Sequence, residues 1–89
     1  MKIKKGFVIE EVAGSYLACA TGKLAKSFNG FIRLNESGAF LWKMLSEGDK
    51  TEEDLANLLA KEYGISSDIA VRDAHAFVES IKKSGALEE

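Results

Sequence analysis

The sequence predicts an α+β domain of winged helix-turn-helix outline, a three-stranded antiparallel sheet followed by three helices. Three observations carry this expectation. Before Asn35 the apolar clusters are short and broken by Gly, Ser and Asn; after it the apolar spacing becomes helical. The second half carries successive helix-start residues, each followed by a glycine stop. With 89 residues, the chain has room for one core and no second one, so residues 1–89 are expected to form a single domain.

The elements follow in order. Phe7–Val12 reads as a strand, Ala13-Gly14 as a hairpin turn, and Tyr16–Ala20 as the returning strand, closed by Thr21-Gly22. A connector, Lys23–Asn29, leads to a third strand near Gly30–Leu34. There Phe31 and Arg33 fall on one face and Ile32 and Leu34 on the other, and the second pair is expected to face the core. If the strands form a meander, the third one leaves a side unpaired.

Asn35 is a favoured N-cap because its side-chain oxygen accepts from a free first-turn N–H. Glu36 adds negative charge where the helix dipole favours it. The first helix is expected over Glu36–Glu47, with Phe40, Leu41, Met44 and Leu45 on one side, Lys43 facing away and Gly48 ending it. Thr51-Glu52-Glu53-Asp54 resembles a capping box with Asp in place of Glu. It opens a second helix whose stripe is Leu55, Leu58, Leu59 and Tyr63, and Gly64 supplies the stop. The third helix starts at Ser66 or Ser67 and carries Ala70, Ala74, Phe77, Val78 and Ile81 on one face. Lys82 and Lys83 suit its C-terminal dipole before Gly85.

Composition narrows the function. A formal net charge of −2 gives no field to draw in a polyanion. One cysteine, Cys19, excludes an internal disulfide and a zinc cluster. The basic start at Lys2, Lys4 and Lys5 is followed only by Phe7-Val8-Ile9 before Glu10, too short for a secretory or membrane segment. A cytoplasmic protein without a membrane partner is the expectation.

No catalytic set emerges. Cys19 falls in an apolar strand, where free cysteine behaves as a small hydrophobe, and His75 is the single histidine. The acidic residues are spread over helix faces and caps, and no phosphate loop or metal-ligand spacing is present. The expectation is a non-enzyme with no cofactor.

A winged-helix regulator that binds DNA or a protein partner is the alternative reading. A recognition helix needs basic and amide side chains in its N-terminal half. Here that half, Ser66–Asp73, holds Arg72 against Asp68 and Asp73 and has no Asn or Gln, and Glu52, Glu53 and Asp54 precede it. This charge pattern predicts no nucleic-acid partner. An extended peptide, added to the free sheet edge as a further strand, fits better.

The run Leu34-Asn35-Glu36-Ser37-Gly38-Ala39 with Trp42, the helix start Thr51-Glu52-Glu53-Asp54-Leu55, Asp73 with Phe77, and the ending Lys83-Ser84-Gly85-Ala86-Leu87 together resemble the PqqD family. The resemblance spans Phe7–Leu87 and rests on order and spacing. It implies a RiPP recognition element that binds the leader segment of a ribosomally synthesised precursor peptide. Such a chaperone presents the precursor to a modifying enzyme, often of the radical SAM type, in pyrroloquinoline quinone (PQQ) biosynthesis or a related pathway. Carried over by position, the resemblance puts the peptide on the strand residues Gly30, Phe31, Ile32, Arg33 and Leu34. On the third helix it implies Asp73, Ala74 and Phe77, with His75 and Val78 at its margin. Asn35, Trp42 and Leu55 also match, and read physically as cap, core and core. The segment with Lys23, Lys26 and Phe28 suggests a subfamily outside quinone synthesis. The expected state is a monomer or weak homodimer.

Overall fold

The structure, a computed structural model, describes residues 1–27 and 30–88. Phe28 and Asn29 of the connector lie outside them. Two strands, β2 (Phe7–Val12) and β3 (Ser15–Ala20), form the hairpin, and β4 (Phe31–Leu34) completes a sheet in the order β2-β3-β4. All pairings are antiparallel, with Val12 opposite Ser15, and Ala18 opposite both Ile9 and Ile32. Ala13 and Gly14 both have positive φ, 52° and 83°. That is the signature of a two-residue type I′ turn, whose twist matches the strands it joins.

The sheet's inner face carries Phe7, Ile9, Ala18, Ile32 and Leu34 toward the core. As expected, Leu34 is buried and Ile32 half-buried, while Phe31 and Arg33 face solvent. Against this face lies α2 (Glu36–Glu47), followed by α3 (Glu52–Tyr63) and α4 (Ser67–Ser84). Trp42 of α2 is 2% exposed and meets the Phe7 ring edge-on at a centroid distance of 5.3 Å. Leu41 and Leu45 are buried beside it. Leu55, Ala56 and Leu59 of α3 and Ala70, Ala74, Val78 and Ile81 of α4 complete the core.

Each helix starts where its cap dictates. Asn35 Oδ1 accepts from the Gly38 N–H at 2.7 Å. Thr51 and Asp54 exchange two bonds of 3.0 Å each, the reciprocal capping box. Ser66 Oγ accepts from the Ile69 N–H at 3.4 Å. Gly64 and Gly85 end α3 and α4 in the left-handed region, which costs glycine little because it has no Cβ.

Three elements go beyond the sequence expectation. Leu24–Ser27 forms a single turn, α1. Lys2–Ile3, β1, pairs antiparallel with Leu87–Glu88, β5. This two-stranded ribbon buries Ile3 against the core and receives a further bond from the Lys4 N–H to the Ala86 carbonyl at 2.9 Å. No helix among the described residues is long and apolar enough to cross a membrane.

Candidate peptide-binding groove

The free edge of the sheet follows from the hairpin turn. In an antiparallel pair, residues that exchange backbone bonds alternate with residues whose N–H and C=O point away. A type I′ turn closes on a bonded pair, here Val12 and Ser15. Counting along β3, Ser15, Leu17 and Cys19 then bond to β2, and Tyr16 and Ala18 bond across to β4. Their partners are Leu34 and Ile32. The backbone groups of Phe31 and Arg33 therefore point outward, where the described sheet has no further strand. Four polar backbone groups are offered along this edge.

Beside the edge lies a cleft of about 370 Å³. Arg33 and Leu34 form its strand wall. Asp73, Ala76, Phe77 and Ser80 form its helix wall, and Asn35, Ser37, Gly38 and Leu41 its end and floor. Positions 73, 76, 77 and 80 follow helical spacing, so α4 presents one continuous stripe to the cleft. Gly38 matters here: a Cβ on it would stand 2.9 Å from Asn35 Oδ1 and 3.6 Å from Leu34 Cβ. Gly38 lines the floor with no side chain of its own. Arg33 has no carboxylate within ion-pair distance among the described residues, and Asp73 reaches only Arg72 at 4.0 Å. The cleft thus carries a positive charge on one wall and a negative charge on the other.

The sequence-derived residues divide by position. Arg33, Leu34, Asp73 and Phe77 line the cleft, and Phe31 and Ile32 run along its strand, with Gly30 just before it. Ala74 and Val78 are 1% exposed and lie beneath α4 in the core. His75 is about 200° around the helix from Asp73 and faces α3, with Nδ1 3.2 Å from the Glu52 carboxylate. Sequence reasoning did not single out Ala76 and Ser80. Their spacing from Asp73 was the available signal, since small side chains carry none of their own. Gly38, although quoted in the resemblance, had no role until its burial was known.

A second hollow of about 490 Å³ lies between the inner face of β2 and α2, lined by Phe7, Ile9, Tyr16, Phe40, Trp42 and Tyr63 among others. It is larger and more apolar, yet its strand is poorly suited to adding a guest. Glu10 and Glu11 are both exposed on β2, and charge on an edge strand discourages further pairing. Burial raises the Tyr63 phenol above its ordinary pKa, with Glu36 and Glu62 adding to the shift. Cys19 lies between Val8 and Phe31 on the sheet and His75 between Glu52 and Glu79 on the helices. The structure does not bring the thiol and imidazole together.

Comparison with known proteins agrees with this architecture. A solved structure of TbiB1 in complex with the TbiA(beta) leader peptide superposes with a TM-score of 0.73. It is 22% identical in sequence, over 99% of this chain and 95% of that one. No curated protein matches the chain. The family model described as coenzyme PQQ synthesis protein D (PqqD) matches residues 10–87. Its match covers all three sheet strands from Glu10 onward and every long helix, and the chain belongs to the PqqD family.

Proposed function

We propose that this chain is a leader-peptide-binding adaptor. It takes the leader segment of a ribosomally synthesised precursor as an added strand on β4 and presents the rest to a modifying enzyme of the radical SAM type. The observation that carries the reading is the outward backbone edge of Phe31 and Arg33 beside the α4 stripe. The same strand and helix are the ones the family resemblance implies, and TbiB1, of the same fold, is a leader-peptide complex.

Magnitudes show why both walls are needed. Four edge bonds at ~0.5–1.5 kcal/mol each contribute about 2–6 kcal/mol. Ordering a flexible peptide costs about 2–5 kcal/mol, so the edge alone barely holds its guest. Apolar contact with Phe77 and with the floor at Leu41 and Gly38 supplies the surplus. Arg33 and Asp73 then favour a guest of matching charge and fix its register. The adaptor does no chemistry on the precursor. Holding precursor and enzyme together raises the effective concentration of one at the other.

The test is a titration of isotope-labelled protein with the leader peptide of the cognate precursor. Amides of Phe31–Leu34 and of Asp73–Phe77 shift first, and the Phe31 and Arg33 N–H groups become protected from exchange. Shifts confined to the β2 side would refute the groove.

A further inference from the structure

One cluster of side chains lies outside the groove and has no part in the adaptor reading. His75 and Glu79 stand four residues apart on α4, and Glu52 reaches them from the first turn of α3. One potential ligand atom of each lies within 4.8 Å of the other two. Nδ1 of His75 is 3.2 Å from both Glu52 carboxylate oxygens, and its Nε2 is 4.0 Å from Glu79 Oε1. Among the described residues, neither glutamate has a Lys or Arg within ion-pair distance. Two carboxylates therefore converge on one imidazole with no permanent cation between them.

We propose that Glu52, His75 and Glu79 form a surface site for a divalent transition-metal cation of the zinc class. Nε2 of His75 and the Glu79 carboxylate are the direct ligands, Glu52 orients the ring, and water completes the shell. A neutral imidazole has one N–H and one lone pair. The Glu52 carboxylate accepts the N–H at Nδ1 and so leaves the lone pair on Nε2, the ring nitrogen 4.0 Å from Glu79 Oε1. Metal-bound histidines characteristically hand their other N–H to such an acceptor.

Distances fit as well. With zinc about 2.0–2.2 Å from each nitrogen or oxygen ligand in tetrahedral geometry, two ligands of one ion stand ~3.3–3.6 Å apart. Nε2 and Oε1 at 4.0 Å reach that span by a small rotation of the Glu79 side chain. The backbone frame is rigid. The capping box holds the first turn of α3, and Leu55, Ala56 and Leu59 pack with Ala70, Ala74 and Val78 in one core. Imidazole with carboxylate suits zinc, copper or nickel, whereas magnesium and calcium seek oxygen alone.

The test uses the full chain without an affinity tag and with Cys19→Ser, so that no thiol competes. Calorimetric titration with zinc chloride is expected to give one equivalent, in the micromolar to low millimolar range. His75→Ala abolishes it, and Glu79→Gln and Glu52→Gln each weaken it about tenfold or more. The His75 ring protons shift on titration, and magnesium chloride leaves them unmoved. None of the three side chains is buried, so the variants stay folded, which circular dichroism checks. Absence of saturable zinc binding, or binding that survives His75→Ala, overturns the site. Glu52→Gln and Glu79→Gln lie outside the cleft lining and leave leader-peptide binding unaffected, so the groove reading stands or falls separately.

Discussion

Replacing Phe31 by proline separates the free edge of β4 from the ladder that holds β4 in the sheet. The alternation set by the hairpin turn directs the Phe31 N–H outward and the Ile32 N–H toward Ala18. Phe31 is also the first residue of its strand, and its side chain is 55% exposed. Proline is tolerated at such a position because no internal bond is lost. Folding stability should therefore fall by less than about 1 kcal/mol. Leader binding loses one bond of ~0.5–1.5 kcal/mol, a two- to tenfold weakening. The proline Cδ, standing where the hydrogen was, adds a steric penalty. Ile32→Pro is the control: it removes an inward donor and strands a carbonyl on β3, so about 1–3 kcal/mol of stability is lost before any peptide is added.

Hydrogen exchange tests the same alternation without mutation. In the free protein the Ile32 and Leu34 amides exchange slowly and those of Phe31 and Arg33 quickly; the leader protects the second pair. Calorimetry on Phe31→Pro and denaturant unfolding of both variants supply the energies. A Phe31→Pro protein that unfolds as readily as Ile32→Pro would refute the assigned direction of the edge. One that stays folded and binds at full affinity would refute strand addition.

Four further outcomes follow from the same structure. Phe77→Ala removes a half-buried wall of the cleft, so its stability loss should fall below the ~3–5 kcal/mol of a fully buried phenylalanine, while leader affinity drops more than tenfold by calorimetry. Gly38→Ala gains up to ~1 kcal/mol of helix propensity but displaces the Asn35 cap, worth ~0.5–2 kcal/mol; denaturation should change little, and leader binding should fall as the methyl fills the floor. Ala13→Asn puts a residue suited to positive φ into the type I′ turn and should stabilise the fold by about 1 kcal/mol, a rise in Tm of ~4–8 °C. Tyr63, raised chiefly by burial and then by Glu36 and Glu62, should titrate above a free tyrosine by phenolate absorbance. Because its folded pKa is raised, the stability linked to it is present below the unfolded value near 10 and lost as pH climbs through the folded one.

How far the sequence could be read depended on whether the cause was local. Asn35, Thr51 and Ser66 announce their helices through bonds spanning three residues, and the observed starts of α2, α3 and α4 follow them. Strand β2 spans Phe7–Val12, the bounds read from the sequence, because the Ala13-Gly14 turn fixes its end. The β1–β5 ribbon was illegible for the opposite reason. Its pairs, Lys2 with Glu88 and Ile3 with Leu87, join the two ends of the chain, and two-residue strands carry no period. In the groove, Arg33, Asp73 and Phe77 were legible through the family's spacing. The buried state of Ala74 and Val78, and the turn of His75 toward Glu52, depended on the rotation of α4 against α3, which a helical wheel leaves open.

The fold treats its sheet edges unequally, and that asymmetry is the strongest physical argument for where a guest strand belongs. An exposed strand edge invites unwanted pairing, and proteins blunt it with charge or cover it. Strand β2 is blunted by Glu10 and Glu11 on its outer run. The chain's own C-terminal strand, β5, could have covered β4; instead it pairs with β1. What borders β4 is α4, set apart by a cleft whose floor is lowered by Gly38. Filling that floor would cost the fold little, by the balance of cap and propensity given above, so folding alone gives weak reason to leave it open. The proposed guest strand gives a strong one, since it would bring side chains between β4 and α4 while bonding to Phe31 and Arg33.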